Sequence, residues 1–212
     1  MTSILLSGIF SNSTNACLVA ALREKLGISQ DTIILGTIAR LDPIKNHSMM
    51  LEAFALVLKE HANTVLIIVG DGEERNNIES KIKQLGLKGQ VILPGYEPQP
   101  QHYLALMDIF LLSSLSEGTS MTLLEAMALG KPCVATDAGG NPEIVTDQLS
   151  GYVTKNDDFK DFAEKILLLT TMPKTRESLS VEAKSIFHSK FSDQKMVMSY
   201  QQICKQLTEI GS

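Results

Sequence analysis

Short β-branched runs that alternate with segments of helical period constrain the fold of this chain more than any other feature of its sequence. Residues 33–39 and 64–69 are apolar except for Thr37 and Thr64, and between them Leu51, Phe54 and Leu58 recur at helical spacing within residues 47–60. Strands that are apolar on both faces and separated by helices are typical of parallel sheets covered on both sides. The sequence therefore predicts an α/β fold, a doubly wound parallel Rossmann-like sheet with helices on both faces.

The rest of the chain continues this alternation. Further strands are predicted at 91–93, 109–112, 133–135 and 151–153, and further helices at 73–85, 102–107, 121–129, 141–145, 159–170 and 175–210, the last with a break near Phe191. Gly86 and Gly130 follow two of these helices, where glycine commonly ends a helix. We expect Asn141 to be the N-cap and Pro142 the first residue of the helix at 141–145.

Composition argues against several classes of function. The net charge of −5 provides no global attraction for nucleic acid or anionic lipid, and aromatic residues are only 5% of the chain. The chain has three cysteines, Cys17, Cys133 and Cys204. Because their number is odd and they lie far apart in the sequence, we expect neither a zinc site nor a disulfide framework. No segment has the pattern of a signal peptide or a membrane span, so we expect a cytoplasmic protein.

Ligands bind doubly wound sheets beyond the carboxyl ends of the strands, so the loops at that edge are the place to look for a site. The candidate residues in these loops and in the helix after the fourth strand are Arg40, Lys45, Gly70, Gly95, Tyr96, Glu117, Gly118, Thr119, Ser120, Met121, Thr122, Leu123 and Glu125. The helix that starts near Met121 offers free N–H groups and the positive end of its dipole to an anion.

Cations and carboxylates complete this predicted site. Arg40 and Lys45 could reach the same point from a neighbouring loop, which predicts a diphosphate held without a metal. Glu117 and Glu125 suit the vicinal hydroxyls of a ribose or a hexose, because one carboxylate can accept two hydrogen bonds. The four histidines share no ligand spacing, and no metal site is expected.

Residues 117–136 carry a specific motif. Glu117 and Glu125 stand eight positions apart in EGTSMTLLEAMA, which GKPCVAT follows after one leucine. This segment resembles the E-x7-E signature of retaining GT-B glycosyltransferases of family 4, the glycosyl transferases group 1, in their carboxyl-terminal donor-binding domain. Matches such as GTIARL, GDG, LPGY and GGNPE extend the resemblance over roughly residues 33–205.

The resemblance implies a role for each matched residue. Glu117 would hold hydroxyls of the transferred sugar, and Arg40 and Lys45 would neutralise the departing diphosphate, so these three are the candidate catalytic residues. Glu125 would accept hydrogen bonds from the ribose hydroxyls, and the Tyr96 backbone would contact the base. These roles are consistent with a reaction that depends on a stabilised leaving group.

The remaining matched positions would complete donor binding. The resemblance implies that the backbone at Thr122 and Leu123 donates to the diphosphate. The other positions expected around the donor are Gly70, Gly95, Gly118, Thr119, Ser120 and Met121.

The chain departs from the family pattern in two respects. Thr119, Ser120 and Met121 stand where the family has an aromatic residue, a glycine and often a proline. The amino-terminal acceptor-binding domain of the family has no counterpart, and Ser7–Phe10 resembles the turn between the two domains. We therefore expect residues 1–32 to be a linker remnant with a leading helix, and residues 33–212 to be a nucleotide-sugar-binding domain with C-terminal helices.

The leading hypothesis is the donor-binding domain of a retaining hexosyltransferase that is incomplete in isolation. Its donor would be a UDP-, GDP- or ADP-sugar, its acceptor a glycan, lipid or other molecule, and neither cofactor nor metal is expected. The alternatives are a non-catalytic or truncated nucleotide-sugar-binding module and an epimerase-like GT-B half. The expected partners are the nucleotide-diphosphate sugar and an acceptor-binding domain outside this chain. Only that domain would bring the protein to the inner face of the membrane.

Overall fold

A six-stranded parallel sheet lies at the centre of the computed structural model, which describes residues 12–191. Its strands are β1 (Ile33–Ile38), β2 (Thr64–Val69), β3 (Val91–Gly95), β4 (Ile109–Leu112), β5 (Cys133–Thr136) and β6 (Gly151–Thr154). Their spatial order is β3-β2-β1-β4-β5-β6, and every neighbouring pair is parallel. The predicted doubly wound sheet is confirmed.

The helices cover both faces of this sheet. They are α1 (Asn12–Lys25), α2 (His47–Glu60), α3 (Arg75–Gln84), α4 (Gln101–Leu106), α5 (Met121–Ala128), α6 (Asn141–Ile144), α7 (Phe159–Thr171) and α8 (Pro173–Ile186). Helices α2, α3 and α7 pack on one face and α4 and α5 on the other, while α8 contributes Leu179 to the first core and Ala183 and Ile186 to the second. A 3₁₀ turn at Pro43–Lys45 precedes α2, and a π-helical turn at Phe187–Phe191 follows α8.

The strands are continuously apolar because both of their faces are buried. In β1 the side chain of Leu35 packs with α2 and α7, whereas the preceding Ile34 packs with α4 and α5, and both are fully buried. Burial of one such side chain contributes about 1.5–3 kcal/mol. Phe54 and Phe162 are fully buried on the α2 and α7 face. Two cores, one on each side of the sheet, hold the strand ends in place.

Most predicted elements occur within two residues of their predicted bounds. The exception in detail is Asn141, which is not an N-cap: Gly140 takes that position, and Asn141 is the buried first residue of α6. Its side-chain amide donates to the Thr136 carbonyl at 3.1 Å, so it serves the end of β5 instead. The predicted turn at Ser7–Phe10, Cys204 and the predicted helix beyond Phe191 lie outside the described residues.

Two further observations concern cysteines and membranes. Cys133 is fully buried and Cys17 is exposed, and both are free thiols. Among the helices of residues 12–191, none combines the length and the apolar character that crossing a bilayer requires.

Candidate functional site

The strand order places one crevice at the edge of the sheet where the predicted residues lie. The order reverses between β1 and β4, because the chain extends the sheet from β1 to β3 on one side and from β4 to β6 on the other. Ligands of doubly wound sheets bind at this switch point, outside the carboxyl ends of the strands. The loops after β1, β2, β3 and β4 all open at this edge.

A cavity of about 480 Å³ lies at this edge. It is lined by residues at or just beyond the ends of β1, β2 and β3 and by one residue of α5: Ile38, Ala39, Arg40, Val69, Gly70, Asp71, Tyr96, Glu97, Pro100 and Thr122. Of the predicted residues, Arg40, Gly70, Tyr96 and Thr122 are thus brought together. The volume falls within the range of ligand sites in proteins.

Gly70 has a structural reason to be glycine. Its φ is +140°, and a Cβ atom there would lie 1.9 Å from the Ala39 carbonyl oxygen. Its N–H donates to the Gly95 carbonyl at 2.9 Å. Gly70 and Gly95 therefore hold the ends of β1, β2 and β3 close together, and this close approach forms the floor of the cavity.

Arg40 presents its charge to solvent at the mouth of the cavity. Its side chain is 76% exposed, and its Nε donates to Asp42 Oδ2 at 2.7 Å. Burial disfavours ionisation of Asp42, but hydrogen bonds from Arg40 and the Lys45 N–H, together with both cationic charges, outweigh burial and lower the pKa of Asp42. The Asp42 carboxylate orients Arg40, and no acceptor among residues 12–191 engages the other guanidinium N–H groups, which are therefore able to meet an anion.

Lys45 and Glu117 form an ion pair. Lys45 Nζ donates to Glu117 Oε1 at 2.6 Å, although the two residues are 72 positions apart in the sequence. Only 23% of the Lys45 side chain and 10% of the Glu117 side chain are exposed. Ser114 Oγ donates to the same carboxylate oxygen at 2.6 Å. An ammonium group has three protons, so two remain for another partner.

The two residues after β4 hold this ion pair and were not predicted as site residues. Ser113 Oγ donates to the Lys45 carbonyl at 2.7 Å, and both Ser113 and Ser114 are fully buried. Thr136 Oγ1, at the end of β5, donates to the Ser114 carbonyl at 2.6 Å. The signal in the sequence was two small polar residues directly after a buried apolar strand.

The amino terminus of α5 faces the cavity. Ser120 is its N-cap, and the Leu123 N–H donates to Ser120 Oγ at 3.4 Å. That N–H is the one predicted to donate to a diphosphate, and in this structure it contacts the cap. The N–H groups of Met121 and Thr122 have no acceptor within the helix. Thr122 lines the cavity, whereas the Met121 side chain is about half exposed.

Glu125 lies one turn into α5 with its side chain partly buried. Burial raises the pKa of its carboxyl group. Within residues 12–191 no hydrogen-bond donor reaches its side-chain oxygens, so it differs from Glu117, which has two donors. A carboxylate that is partly removed from water and lacks donors is suited to accept hydrogen bonds from ligand hydroxyls.

The loop after β5 supports the loop that carries Glu117. A Cβ atom on Gly139 would lie 1.7 Å from the Glu117 carbonyl oxygen, and the φ of Gly139 is +54°. The Gly140 N–H donates to the Gly118 carbonyl at 3.2 Å. Gly118 and Thr119 are exposed beside Glu117. The backbone contact between these loops fixes the position of Glu117.

Charge at this site comes from side chains and the helix terminus. Across the described segment, no group of three or more His, Cys, Asp or Glu side chains is arranged to hold a metal ion. The groups suited to meet an anion are Arg40, Lys45 and the α5 amino terminus.

The sequence matches the family model described as Glycosyl transferases group 1 over residues 19–186. Among curated relatives, the N-acetyl-alpha-D-glucosaminyl L-malate synthase of Bacillus anthracis is 30% identical over 182 residues, which are 86% of this chain and 48% of that protein. The UDP-Gal:alpha-D-GlcNAc-diphosphoundecaprenol alpha-1,3-galactosyltransferase of Escherichia coli is 29% identical over 70% of this chain and 40% of its own length. The chain spans about half the length of the curated relatives that it matches.

Solved structures show the same similarity. Anabaena Alr3699/HepE, in complex with UDP and glucose, superposes with a TM-score of 0.80 at 26% identity over 91% of this chain and 52% of that one. The C-terminal domain of the glycosyl transferase group 1 family protein LpcC from Francisella tularensis has a TM-score of 0.71 at 26% identity. It covers 76% of this chain, and this chain covers 87% of it.

Proposed function

Because the chain belongs to the glycosyl transferases group 1, we propose that it forms the donor-binding half of a retaining hexosyltransferase. It would transfer a hexosyl group from a nucleotide-diphosphate sugar to a glycan, lipid or other acceptor. The observation that carries this proposal is the cavity at the switch point of the sheet, which has the largely exposed guanidinium of Arg40, paired with Asp42, at its mouth and a helix amino terminus at its side.

The leaving diphosphate is the first part of the donor that this edge is suited to bind. Arg40 supplies a guanidinium that is mostly exposed, and Lys45 retains two ammonium protons beyond its bond to Glu117. The Met121 and Thr122 N–H groups add the positive end of α5. Groups fixed before the reaction stabilise developing negative charge without reorganisation, which favours departure of the nucleotide diphosphate.

In our proposal, each of the two carboxylates binds one sugar of the donor. Glu125 accepts hydrogen bonds from the ribose hydroxyls, because its oxygens have no donor among the described residues. Glu117, held by Lys45 and Ser114, keeps acceptor capacity for hydroxyls of the transferred hexose. We propose retention of anomeric configuration on the resemblance of residues 117–136 to the signature of retaining enzymes, and NMR of the product anomer tests it.

We propose a UDP-sugar as the donor to test before GDP- and ADP-sugars. Support comes from Alr3699/HepE, which is similar over 91% of this chain and was crystallised with UDP and with UDP-glucose. The base would contact the backbone of Tyr96, whose side chain is 77% exposed at the cavity wall. Since cations and the helix terminus are available for the diphosphate, we propose binding that is independent of metal.

A second, amino-terminal domain would bind the acceptor. The length of the curated relatives supports this, because the matched segment is about half of each. We place the reaction in the cytoplasm, and any contact with a membrane would be made by the acceptor domain.

Calorimetric titration of the chain with UDP, GDP and ADP, with and without magnesium, tests the donor site. We expect UDP to bind in both conditions, and the Arg40→Met and Glu125→Gln variants to bind about tenfold more weakly, since each loses a hydrogen bond that involves a charge. Glu164→Gln, an exposed carboxylate of α7, is the matched control and should bind as the wild type does. Unchanged affinity in Arg40→Met and Glu125→Gln would contradict this assignment.

Transfer is tested by adding an acceptor-binding domain from a similar enzyme and following UDP release and the product anomer. Donor binding without cleavage in that assembly would favour the non-catalytic module, to which Thr119, Ser120 and Met121 point because they depart from the family pattern.

A further inference from the structure

We propose that Ser113 and Ser114, the two residues that follow β4, are positioning residues that set the geometry of the Lys45–Glu117 pair. The inference depends on the proposed function only where it assigns this pair to donor binding. Neither serine lines the cavity, and both are fully buried. They would therefore act through Lys45 and Glu117 and not by contact with the donor.

Each serine hydroxyl contacts one member of the pair. Ser114 Oγ donates to Glu117 Oε1 at 2.6 Å, the same oxygen that accepts from Lys45 Nζ. Ser113 Oγ donates to the Lys45 carbonyl at 2.7 Å and so holds the backbone from which the lysine extends. The distance between the two charges is thus set at both ends from adjacent residues.

The serines are themselves anchored to the sheet. Thr136 Oγ1 at the end of β5 donates to the Ser114 carbonyl at 2.6 Å, and the neighbouring Leu115 N–H donates to the Ile44 carbonyl at 2.8 Å. The turn of Lys45, the end of β4 and the end of β5 therefore form one hydrogen-bonded unit. Buried networks of this kind fix a geometry when every member is satisfied.

The chemistry of the pair explains why this support matters. A lysine ammonium on a flexible stem has many rotamers, and the bond to Glu117 restricts them. Without Ser114 Oγ, the Glu117 carboxylate would keep Lys45 as its one donor among the described side chains and could follow the lysine away from its present position. Lys45 would then approach the diphosphate from variable positions, and Glu117 would no longer be fixed for the hexose.

Chemical labelling of lysines tests the positioning role without any ligand. The chain is treated briefly with acetic anhydride, and acetylation of Lys45 is measured by mass spectrometry relative to exposed Lys59 in the same sample. Ser114→Ala should raise the acetylation of Lys45 by up to about tenfold, because the free energy of a hydrogen bond to a charged group corresponds to a factor of this size in an equilibrium. Ser114→Thr keeps the hydroxyl and should restore labelling toward the wild-type level.

A matched control separates positioning from general destabilisation. Ser150 is also fully buried, and its Oγ accepts from the Thr146 N–H and donates to the Thr146 carbonyl. It immediately precedes β6 and so lies at the amino end of that strand, whereas Ser113 and Ser114 follow the carboxyl end of β4. Ser150→Ala should lower the melting temperature while leaving Lys45 labelling unchanged. Equal labelling of Lys45 in wild type and Ser114→Ala would overturn the inference, whether or not the chain binds a nucleotide.

A double-mutant cycle on the affinity for UDP-glucose links the inference to donor binding. If Ser114 acts through Glu117, the affinity loss of Ser114→Ala/Glu117→Gln will be smaller than the sum of the two single losses. Additive losses would overturn this role of Ser114. If wild type binds no nucleotide sugar while Lys45 labelling still responds to Ser114→Ala, the proposed function is contradicted and the positioning role is supported.

Discussion

Among single residues, Glu125 has the features expected of a binding group whose charged form is unfavourable until a ligand donates hydrogen bonds to it. Burial raises the pKa of its carboxyl group, and its oxygens have no donor within residues 12–191. Since the folded protein binds this proton more tightly than the unfolded chain does, the ionised group lowers stability above its folded pKa. Stability should recover as the pH falls through that folded pKa.

We therefore expect Glu125→Gln to raise the free energy of unfolding at neutral pH by about 1 kcal/mol while it weakens nucleotide binding. Urea unfolding at pH 7.5 and at pH 4.5 measures the first effect, and the gain should shrink at the lower pH. Glu164→Gln on the exposed face of α7 serves as the comparison. A destabilised Glu125→Gln protein would contradict the assignment of an uncompensated charge.

The burial of His47 leads us to expect that the folded protein loses stability in acid, whether or not the site binds a nucleotide. It is 3% exposed, and neither ring nitrogen has a hydrogen-bond partner among residues 12–191. Burial lowers its pKa from 6.5 to about 4, with opposing effects from the charges of Asp42 and Lys45. The unfolded chain binds the proton between these two values, so folding stability should fall from pH 6.5 to pH 4, by roughly 3 kcal/mol from this residue.

The measurement is the free energy of unfolding against pH for wild type and His47→Leu. The variant should lose this part of the slope between pH 4 and 6.5, and the two curves should run parallel above pH 7. Identical slopes throughout would show that His47 is accessible to protons in the folded state.

For single residues, a contact can be read from the sequence only where the two residues are close together in the chain. Asp42 and Lys45 are neighbours in the chain, and the Lys45 N–H donates to the Asp42 carboxylate across one turn. The Lys45–Glu117 pair spans 72 positions, and its formation depends on β4 lying beside β1, which residue pattern alone did not specify. Ser114 was missed for the same reason.

At the scale of elements, the loop after β5 and the loop after β4 behave as one unit. Because a Cβ atom on Gly139 would overlap the Glu117 carbonyl, we expect Gly139→Ala to displace the Glu117 loop, to lower the free energy of unfolding by about 3 kcal/mol or more, and to weaken donor binding. Unfolding and calorimetric titration measure both effects.

Gly86→Ala is the control for backbone strain alone. Its φ is +70°, but a Cβ atom there meets nothing within 4 Å. It should lower the free energy of unfolding by only about 1–2 kcal/mol and leave nucleotide affinity unchanged. Similar changes in unfolding free energy and nucleotide affinity in the two variants would indicate that the contact between Gly139 and Glu117 contributes to neither.

Helices and strands were predictable where local signals and burial agreed. The apolar runs of β2 and β4 and the periodicity of α2 gave their observed bounds. Asn141 was misassigned because an N-cap and a buried amide that binds the end of β5 look alike in sequence. The difference lies in the burial of Asn141 and in the hydrogen bond from its amide to the Thr136 carbonyl, five residues earlier.

For the molecule as a whole, the site joins the two halves of the sheet. Arg40, Gly70 and Tyr96 come from the β1 to β3 half, and Thr122 comes from the other. UDP at a hundred times its dissociation constant should raise the free energy of unfolding by about 2.7 kcal/mol. Hydrogen exchange should slow in both β2 and α5, and uridine, which lacks the diphosphate, should have a much smaller effect. Protection confined to one half would contradict a shared site.

The strand order also has a consequence for how the chain is made. On the ribosome, β1, β2 and β3 emerge first and can pair in sequence, whereas β4 must later join the opposite edge of β1. Lys45 is synthesised 72 residues before the carboxylate that will hold it. The Lys45–Glu117 pair can therefore form only after β4 has joined β1, when the second half of the sheet docks on a first half that already exists.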